Sequence, residues 1–150
     1  MRAVIQRVDS AEVTIENQIH ASIGQGILVL LGIEHADTSE DAEWLSGKIA
    51  RLRIFDDANG VMNQSVSEIS GEILVVSQFT LHASTKKGNR PSYIKAAPPD
   101  HAIPLYDHFT KTIAKESNLC VKTGIFGAKM IISLTNNGPV TIFMDTQAKE

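Results

Sequence analysis

The alternation of apolar and polar residues predicts strands in the first part of the chain. Residues 11–16 alternate strictly, and residues 19–23 place apolar side chains at every second position, which is the pattern of strands with one face in water. Residues 27–33 form a short, continuously apolar run, which predicts a strand that is buried on both faces. We therefore expect successive antiparallel strands before the first helix.

Two later segments carry the spacing of amphipathic helices. Thr38 and Asp41 have capping-box spacing, and apolar residues then recur at helical period, so we predict a helix over residues 39–53. Asp100 is the predicted cap of a second helix, whose apolar side includes Phe109. The two helices are separated by further strand-like sequence.

The remaining strands complete the predicted fold. Residues 72–81 are the best candidate for a central strand, because they contain a run of β-branched residues. Residues 130–135 and 140–145 are predicted as two strands joined by a turn over residues 136–139. No linker or repeat divides the chain, so we expect one domain over residues 1–150. The predicted class is α+β, with mainly antiparallel sheets curled into a barrel-like core and two helices.

Composition and charge are those of an ordinary globular domain. The 150 residues are 43% hydrophobic and 21% charged, with a net charge of −3 and a single cysteine, Cys120, which excludes an intrachain disulfide. No apolar run reaches the roughly 18 residues that span a bilayer, and residues 1–7 lack the apolar stretch of a signal peptide. We expect a cytoplasmic protein with no membrane partner, and a disordered tail over residues 147–150.

Motifs for metals, nucleotides and serine hydrolysis are missing from the sequence. There is no His-Glu-x-x-His, Cys-x-x-Cys, P-loop, Gly-x-Gly-x-x-Gly or Gly-x-Ser-x-Gly pattern. His101 and His108 lie on one predicted helix about 10 Å apart along its axis, which is too far for one ion. We expect neither a metal site nor a cofactor.

Polar and aromatic residues cluster at the end of the predicted central strand, in the run Ser77-Gln78-Phe79-Thr80. This run is either an ordinary strand end or a pocket rim whose hydroxyl, amide and main-chain N–H groups stabilise a developing oxyanion. A nucleophilic serine or threonine requires a base within hydrogen-bond reach. His82 is the nearest histidine in sequence, and nothing in the sequence directs it there, so covalent catalysis is not favoured.

The loop that follows is basic and contains no acidic residue between His82 and Pro99. It is either a solvated loop or a contact for phosphates, since each Lys or Arg that neutralises a phosphate adds salt-dependent affinity. Tyr93, in the same loop, has the side chain to stack on an unpaired base. The candidate RNA-binding cations are Lys86, Lys87, Arg90 and Lys95.

The Gly138-Pro139 pair lies in the predicted turn between the last two strands. Proline has no N–H and glycine has no side chain, so the carbonyl groups of such a pair can approach a ligand closely. Residue type alone also fits an ordinary turn, and sequence alone does not establish whether the peptide bond is cis or trans.

Taken together, these segments resemble the D-aminoacyl-tRNA deacylases of the bacterial and eukaryotic type over essentially the whole chain. The specific feature is the pair of motifs Ser-Gln-Phe-Thr, at residues 77–80, and Gly-Pro-Val-Thr, at residues 138–141, in that order. Further matching segments are residues 5–8, 88–92, 105–107 and 123–130. One departure is Asn136-Asn137, where relatives often have Asn-Asp, and we expect Asn137 to touch none of the roles described next.

The resemblance implies a homodimeric hydrolase that cleaves the ester between a D-amino acid and the 3′ adenosine of tRNA. It also implies that glycyl-tRNA is accepted, including glycine mischarged on alanine tRNA, and that L-aminoacyl-tRNA is spared. The implied catalytic positions are Ser77, Gln78, Phe79 and Thr80. The implied substrate-binding positions are a cis Gly138-Pro139 pair that reaches the partner subunit's pocket, the pocket-lining Phe126 and Met130, and Arg7, which steadies the Gly-Pro turn.

The mechanism implied by the resemblance is RNA-assisted, because a ribose hydroxyl of the tRNA helps the attack and no side-chain base is required. A nucleophilic Thr80 is the less favoured alternative. Two other functions remain open: a related deacylase with a trans Gly-Pro bond that acts on L-alanine carried by threonine tRNA, and a tRNA-binding module without catalysis.

Overall fold

The computed structural model describes residues 1–149 and has the predicted α+β class, with two α-helices beside a curled sheet. The helices are α1 (Ser39–Ala50) and α2 (Pro99–Ser117), and a 3₁₀ turn covers Phe79–His82. The strands are β1 (Arg2–Ile15), β2 (Gln18–Ile23), β3 (Gly26–Gly32), β4 (Phe55–Asp56), β5 (Met62–Gln64), β6 (Glu72–Ser77), β7 (Val121–Thr123) and β8 (Ile131–Asp145).

The main sheet has the order β2-β1-β3-β6-β7, and β8 pairs with the other edge of β1. The pairings of β1 are antiparallel, as expected, whereas β3–β6 and β6–β7 are parallel. Parallel neighbours need a long crossover, which the segment containing α1 supplies between β3 and β6. Lys122 of β7 donates to the Ser22 carbonyl of β2 at 2.6 Å, so the two ends of the sheet approach each other and the barrel is nearly closed.

Apolar residues on β3 and β6 face two different cores, because successive side chains point to opposite sides of a strand. Val29 and Val75 belong to the core between the sheet and the helices. Leu28 and Leu74 belong to the core inside the barrel. The predicted strand buried on both faces is confirmed, although it covers Gly26–Gly32 rather than residues 27–33.

The helices begin and end close to the predicted positions. The Asp41 carboxylate accepts from the Thr38 main-chain N–H at 2.9 Å, as expected for a capping box. Helix α1 ends at Ala50, short of the predicted residue 53. Helix α2 begins at Pro99, so the prediction that Asp100 caps it is wrong, and Asp100 lies inside the first turn.

Two predicted strands are shaped differently in the structure. The central strand β6 ends at Ser77, and the chain then turns through residues 79–82 instead of continuing to residue 81 as a strand. The prediction of two strands joined by a turn is wrong, because β8 is one strand. Since β1 is long enough to pair with both halves of β8, the chain keeps its direction, and residues 137–140 bulge out of the ladder opposite Arg7.

The tail folds back on the domain where the structure describes it. A turn at Thr146 and Gln147 follows β8, and the Lys149 ammonium lies 4.6 Å from the centre of the Trp44 ring, so the expected disorder is wrong for residues 147–149. Glu150 lies outside the described residues. Within residues 1–149, no helix is both long enough and apolar enough to cross a membrane.

Candidate functional site

A small pocket opens where β3 and β6 end. Its volume is about 60 Å³, and its wall is mostly apolar with a polar rim. Three of the four predicted catalytic positions, Ser77, Gln78 and Phe79, lie in its wall together with the predicted substrate-binding residue Phe126. Its other lining residues are Leu31, Ile33, Ala97, Ala102 and Gly127.

Main-chain bonds fix the polar rim. The Gln78 N–H donates to the Leu31 carbonyl at 2.7 Å, which anchors the chain directly after β6. The Gln78 side-chain amide donates to the Thr80 hydroxyl, so Thr80 lies at the same rim although it does not line the pocket. Ser77 and Thr80 are half-buried, and the Phe79 ring at the mouth is 55% exposed.

Tyr106 of α2 supports the pocket from behind. Its hydroxyl donates to the Val75 carbonyl at 2.8 Å, and its ring meets Phe126 edge to face with 5.9 Å between ring centres. Burial, followed by the nearby Asp107 charge, raises the pKa of Tyr106. The phenol therefore stays protonated and remains a donor that holds β6 and Phe126 in place.

His82 is not positioned as a base for the rim. It is 1% exposed, and neither of its ring nitrogens has a hydrogen-bond partner among the described residues. A general base must reach the proton that it removes within hydrogen-bond distance, either directly or through one water. The structure therefore provides no Ser–His or Thr–His pair at this pocket within residues 1–149.

The Gly138-Pro139 pair forms the exposed part of the bulge in β8. The peptide bond between the two residues is cis, the state that the resemblance implies. Gly138 has a φ of +124°, a backbone conformation that residues other than glycine rarely adopt. The pair therefore presents bare main chain to the surroundings.

Arg7 holds this bulge. Its guanidinium donates through Nε to the Asn137 carbonyl at 3.1 Å and through Nη2 to the Asn137 side-chain oxygen at 3.3 Å. A third bond, from Nη1, reaches the Ile54 carbonyl at 2.7 Å, and Arg7 is only 9% exposed. Because Asn137 is bonded to Arg7, the expectation that Asn137 touches no proposed role is wrong. The Asn137 amide also donates to Asp9 at 2.6 Å.

The bulge and the pocket of one chain lie far apart. Arg7 pairs with Ile27 at the start of β3, whereas Ser77 pairs with Leu31 at its end, a separation of about 13 Å along the strands. Strands β8 and β6 are in addition separated by β1 and β3, which adds about 14 Å across the sheet. The bulge therefore does not cover the pocket of its own chain.

Met130 is placed away from the pocket wall. It packs against the core inside the barrel, and its sulfur lies so close to Gly124 that a Cβ there would approach it to 2.5 Å. Of the two residues that the resemblance places in the pocket, the structure brings only Phe126 to this cavity.

The four predicted RNA-binding cations are all exposed. Main-chain bonds of 2.8 and 2.9 Å join Ser84 and Ser92, so residues 85–91 project as a closed loop that carries Lys86, Lys87 and Arg90. Lys95 lies three residues after Ser92, which closes the loop. Among residues 1–149, none of the four cations forms an ion pair.

The described residues offer no metal site, since no three His, Cys, Asp or Glu side chains within 1–149 come together as a possible ligand set. Sequence reasoning missed the small residues Ala97, Ala102 and Gly127 in the pocket wall. The only signal in the sequence is the small size of these Gly and Ala residues, which leaves room for a ligand. It also missed Tyr106, which its helical position marks as an ordinary core residue.

Known proteins and structures resemble this chain along its whole length. The family model described as D-Tyr-tRNA(Tyr) deacylase matches residues 4–145. Proteins named D-aminoacyl-tRNA deacylase from Flavobacterium johnsoniae and Parabacteroides distasonis are 61% and 62% identical over 150 residues, which is 100% of this chain and of each relative.

Solved structures share the fold. One named "c-Myc DNA Unwinding Element Binding Protein" has a TM-score of 0.90 and 42% identity, with 97% of this chain and 98% of that chain covered. Another, named "Structural Analysis of a probable eukaryotic D-amino acid tRNA deacylase", has a TM-score of 0.81 and 19% identity, covering 95% and 97%. On the strength of the family match and the identities, the chain belongs to the D-Tyr-tRNA(Tyr) deacylase family.

Proposed function

We propose that this protein hydrolyses the ester bond between a D-amino acid and the 3′-terminal adenosine of tRNA, that it accepts glycyl-tRNA, including glycine mischarged on alanine tRNA, and that it spares L-aminoacyl-tRNA. The observation that carries the proposal is the pocket formed by Ser77, Gln78, Phe79 and Phe126 in a chain that is 61% identical to a named D-aminoacyl-tRNA deacylase over its whole length. Because tRNA is charged in the cytoplasm, the proposed location is the cytoplasm.

The mouth of the pocket suits one end of such a substrate. Its apolar wall and the exposed Phe79 ring suit a nucleobase, which gains by stacking on an aromatic face. The proposed donors are the hydroxyl groups of Ser77 and Thr80 and the main-chain N–H of Phe79 at the rim. With the adenosine at the mouth of the pocket, its ester would lie beside this rim. Donors at this rim would stabilise the negative charge that develops on the ester carbonyl oxygen.

The attack on the ester is proposed to use water and a ribose hydroxyl of the tRNA. Water adds to the carbonyl carbon, the bond to the ribose oxygen breaks, and that oxygen leaves with a proton, so that the products are free tRNA and a free amino acid. The lack of a partner for His82 among the described residues supports a mechanism without a side-chain base. Thr80, which accepts a hydrogen bond from Gln78, is assigned to positioning rather than nucleophilic attack.

Chiral choice is proposed to come from the Gly138-Pro139 bulge of a second copy of the chain. The bulge is exposed and lies far from the pocket of its own chain, so a homodimer is needed to bring the two together. Carbonyl groups of the pair would hold the substrate amino group. An L side chain would then point into the bulge and a D side chain away from it, while glycine has nothing to exclude.

The basic loop is proposed to bind the tRNA backbone through Lys86, Lys87, Arg90 and Lys95. All four cations are exposed, and no acidic residue lies between residues 82 and 99 to compete for them. All four similar proteins described above bear names that refer to nucleic acid, three to tRNA and one to a DNA element. These names support a nucleic-acid contact in general, whereas the assignment to this loop rests on its exposed cations.

A turnover assay with D-amino-acid, L-amino-acid and glycine esters on one tRNA tests the proposal. We expect release of the D-amino acid and of glycine, with the L ester intact. Equal release of the D and L esters contradicts the stereochemical proposal. Release of L-alanine from threonine tRNA supports the related deacylase, and salt-dependent tRNA binding without ester loss supports the binding module.

A further inference from the structure

An exposed aromatic pair extends outward from the mouth of the pocket. The rings of Phe79 and Tyr93 meet nearly perpendicular to each other, with 5.1 Å between ring centres and an angle of 73° between the planes. Phe79 lines the pocket, whereas Tyr93 does not, and Tyr93 is still 40% exposed. The Tyr93 ring therefore continues the aromatic surface of Phe79 outside the pocket lining.

The main chain around Tyr93 is fixed although its ring is exposed. Ser92, directly before it, is joined to Ser84 by two main-chain hydrogen bonds. The Tyr93 carbonyl accepts from the Ala96 N–H at 2.9 Å, and Ala97, one residue further, donates to Ile33 at 2.9 Å. The ring is thus held at one place beside the pocket, as a binding surface requires.

The surroundings of this ring are apolar and positively charged. Ile94 is 81% exposed, so it continues the apolar surface next to Tyr93. Contiguous exposed apolar groups of this kind mark binding surfaces more often than isolated ones do. Lys95 lies two residues from Tyr93, and the loop with Lys86, Lys87 and Arg90 closes directly before it.

We propose that Tyr93 stacks on the base of the unpaired nucleotide that precedes the acylated 3′ nucleotide of the RNA. The inference rests on the proposed function, because the acylated nucleotide is assigned to the pocket at Phe79. A single strand leaving the pocket then meets an aromatic ring and next the cations, which is the arrangement of surfaces that bind single-stranded RNA by stacking and by phosphate contacts.

The test compares a complete substrate with one that lacks the preceding nucleotide. The kcat/KM for ester hydrolysis is measured on D-aminoacyl-tRNA and on the D-aminoacyl ester of adenosine alone, for the natural protein, Tyr93→Ala and Tyr93→Phe. We expect Tyr93→Ala to lose roughly 10- to 100-fold on the tRNA, as for one stacked base, and to keep its activity on the adenosine ester. Tyr93→Phe, which keeps the ring, remains close to the natural protein on both. Ile19→Ala, at a 65% exposed apolar residue of β2 that is assigned to no site, serves as the control and changes neither.

Three outcomes would overturn the proposal. An equal loss of Tyr93→Ala on both substrates means that the ring only supports Phe79. No loss on either means that the ring contacts no nucleotide. A Tyr93→Phe variant as impaired as Tyr93→Ala assigns the effect to the hydroxyl group rather than to stacking.

Binding to uncharged tRNA separates this inference from the proposed function. If the natural protein hydrolyses neither ester, the proposed function fails, and the stacking is still tested by affinity. Tyr93→Ala should bind intact uncharged tRNA more weakly than the natural protein does, and should bind tRNA trimmed of its unpaired 3′ nucleotides equally well. Equal affinity of the two proteins for intact tRNA overturns the stacking proposal in either case.

Discussion

Arg7 holds Asn137 at two points, since its guanidinium donates to both the main-chain and the side-chain oxygen of that residue. The arrangement clamps the residue directly before Gly138. Arg7→Lys keeps the charge but cannot reproduce the fork of donors. We expect its kcat/KM on D-aminoacyl-tRNA to fall on the order of 10- to 100-fold through misplacement of the bulge. Arg53→Lys is the control, because among residues 1–149 this exposed Arg donates only to the Asn63 carbonyl. Natural activity of Arg7→Lys would contradict the clamp.

Gly138→Ala tests the main-chain conformation of the bulge. The φ of +124° is strained for alanine, and the added Cβ would lie 2.9 Å from Arg7 Nη2 and 2.8 Å from a Val140 methyl carbon. We expect the free energy of unfolding to fall by about 1–3 kcal/mol and deacylation to fall with it. Gly60→Ala has a φ of +76° with open space around the new Cβ, so it carries only the backbone cost and should keep full activity. Equal activity of the two variants would contradict this placement.

Thr80→Ala separates positioning from nucleophilic attack. The hydroxyl accepts a bond from Gln78. Loss of one hydrogen bond costs up to about tenfold in rate, so we expect the variant to keep substantial activity on D-aminoacyl-tRNA. Thr80→Ser keeps a hydroxyl, and its activity should differ little from that of Thr80→Ala. Complete loss in Thr80→Ala, with intact tRNA binding and an active Thr80→Ser, would assign the attack to the threonine.

Replacing Lys86, Lys87 and Arg90 together by alanine tests the basic loop. We expect weaker tRNA binding and a plot of log affinity against log salt concentration whose slope is smaller by about 2, since each lost phosphate contact to a single strand removes about 0.7. Lys111 and Lys115 are exposed on α2, and their double alanine variant should leave the slope unchanged. A triple variant with the natural slope would show that this loop does not bind phosphate.

Asp145→Asn tests the ion pair that joins the end of β8 to β1. Burial opposes ionisation of Asp145, but bonds from the Gln147 N–H and from Arg2 Nε, at 2.8 Å, hold its pKa below the ordinary value of 3.8. A carboxyl group with a lowered pKa stabilises the fold at a pH above its pKa in the unfolded chain. This stabilisation is lost as the pH falls through its pKa in the folded protein. In urea unfolding we expect the natural protein to exceed the variant by about 1–3 kcal/mol at pH 7. A difference of the same size at pH 2 would contradict the assignment.

Local sequence patterns predict much of this fold. Alternation identified only the second part of β1, at residues 11–15, and the capping box marked the start of α1, because both signals depend only on neighbouring residues. The run at residues 77–80 was placed at a strand end, and the structure puts it at the rim of a pocket. The catalytic role proposed for this run rests on the resemblance, because local pattern alone left its role open.

Contacts between distant segments could not be predicted in the same way. The Asn-Asn-Gly-Pro sequence has the composition of a turn, and it became a bulge because β1 pairs with the chain on both sides of it. The Arg7–Asn137 bonds join residues 130 positions apart. The Phe79–Tyr93 contact depends on the Ser84–Ser92 bridge, for which residue type gives no signal.

The pairing of β1 with β8 also governs the order of assembly during protein synthesis. Arg2 and Asp145 are bonded across 143 positions, so β1 waits for β8 before its second edge is covered. Contacts of such high sequence separation slow folding, because the loop between them must close first. On the ribosome, the nascent chain therefore carries an open β1 edge until β8 has emerged, and this edge is where premature association with other unfinished chains would begin.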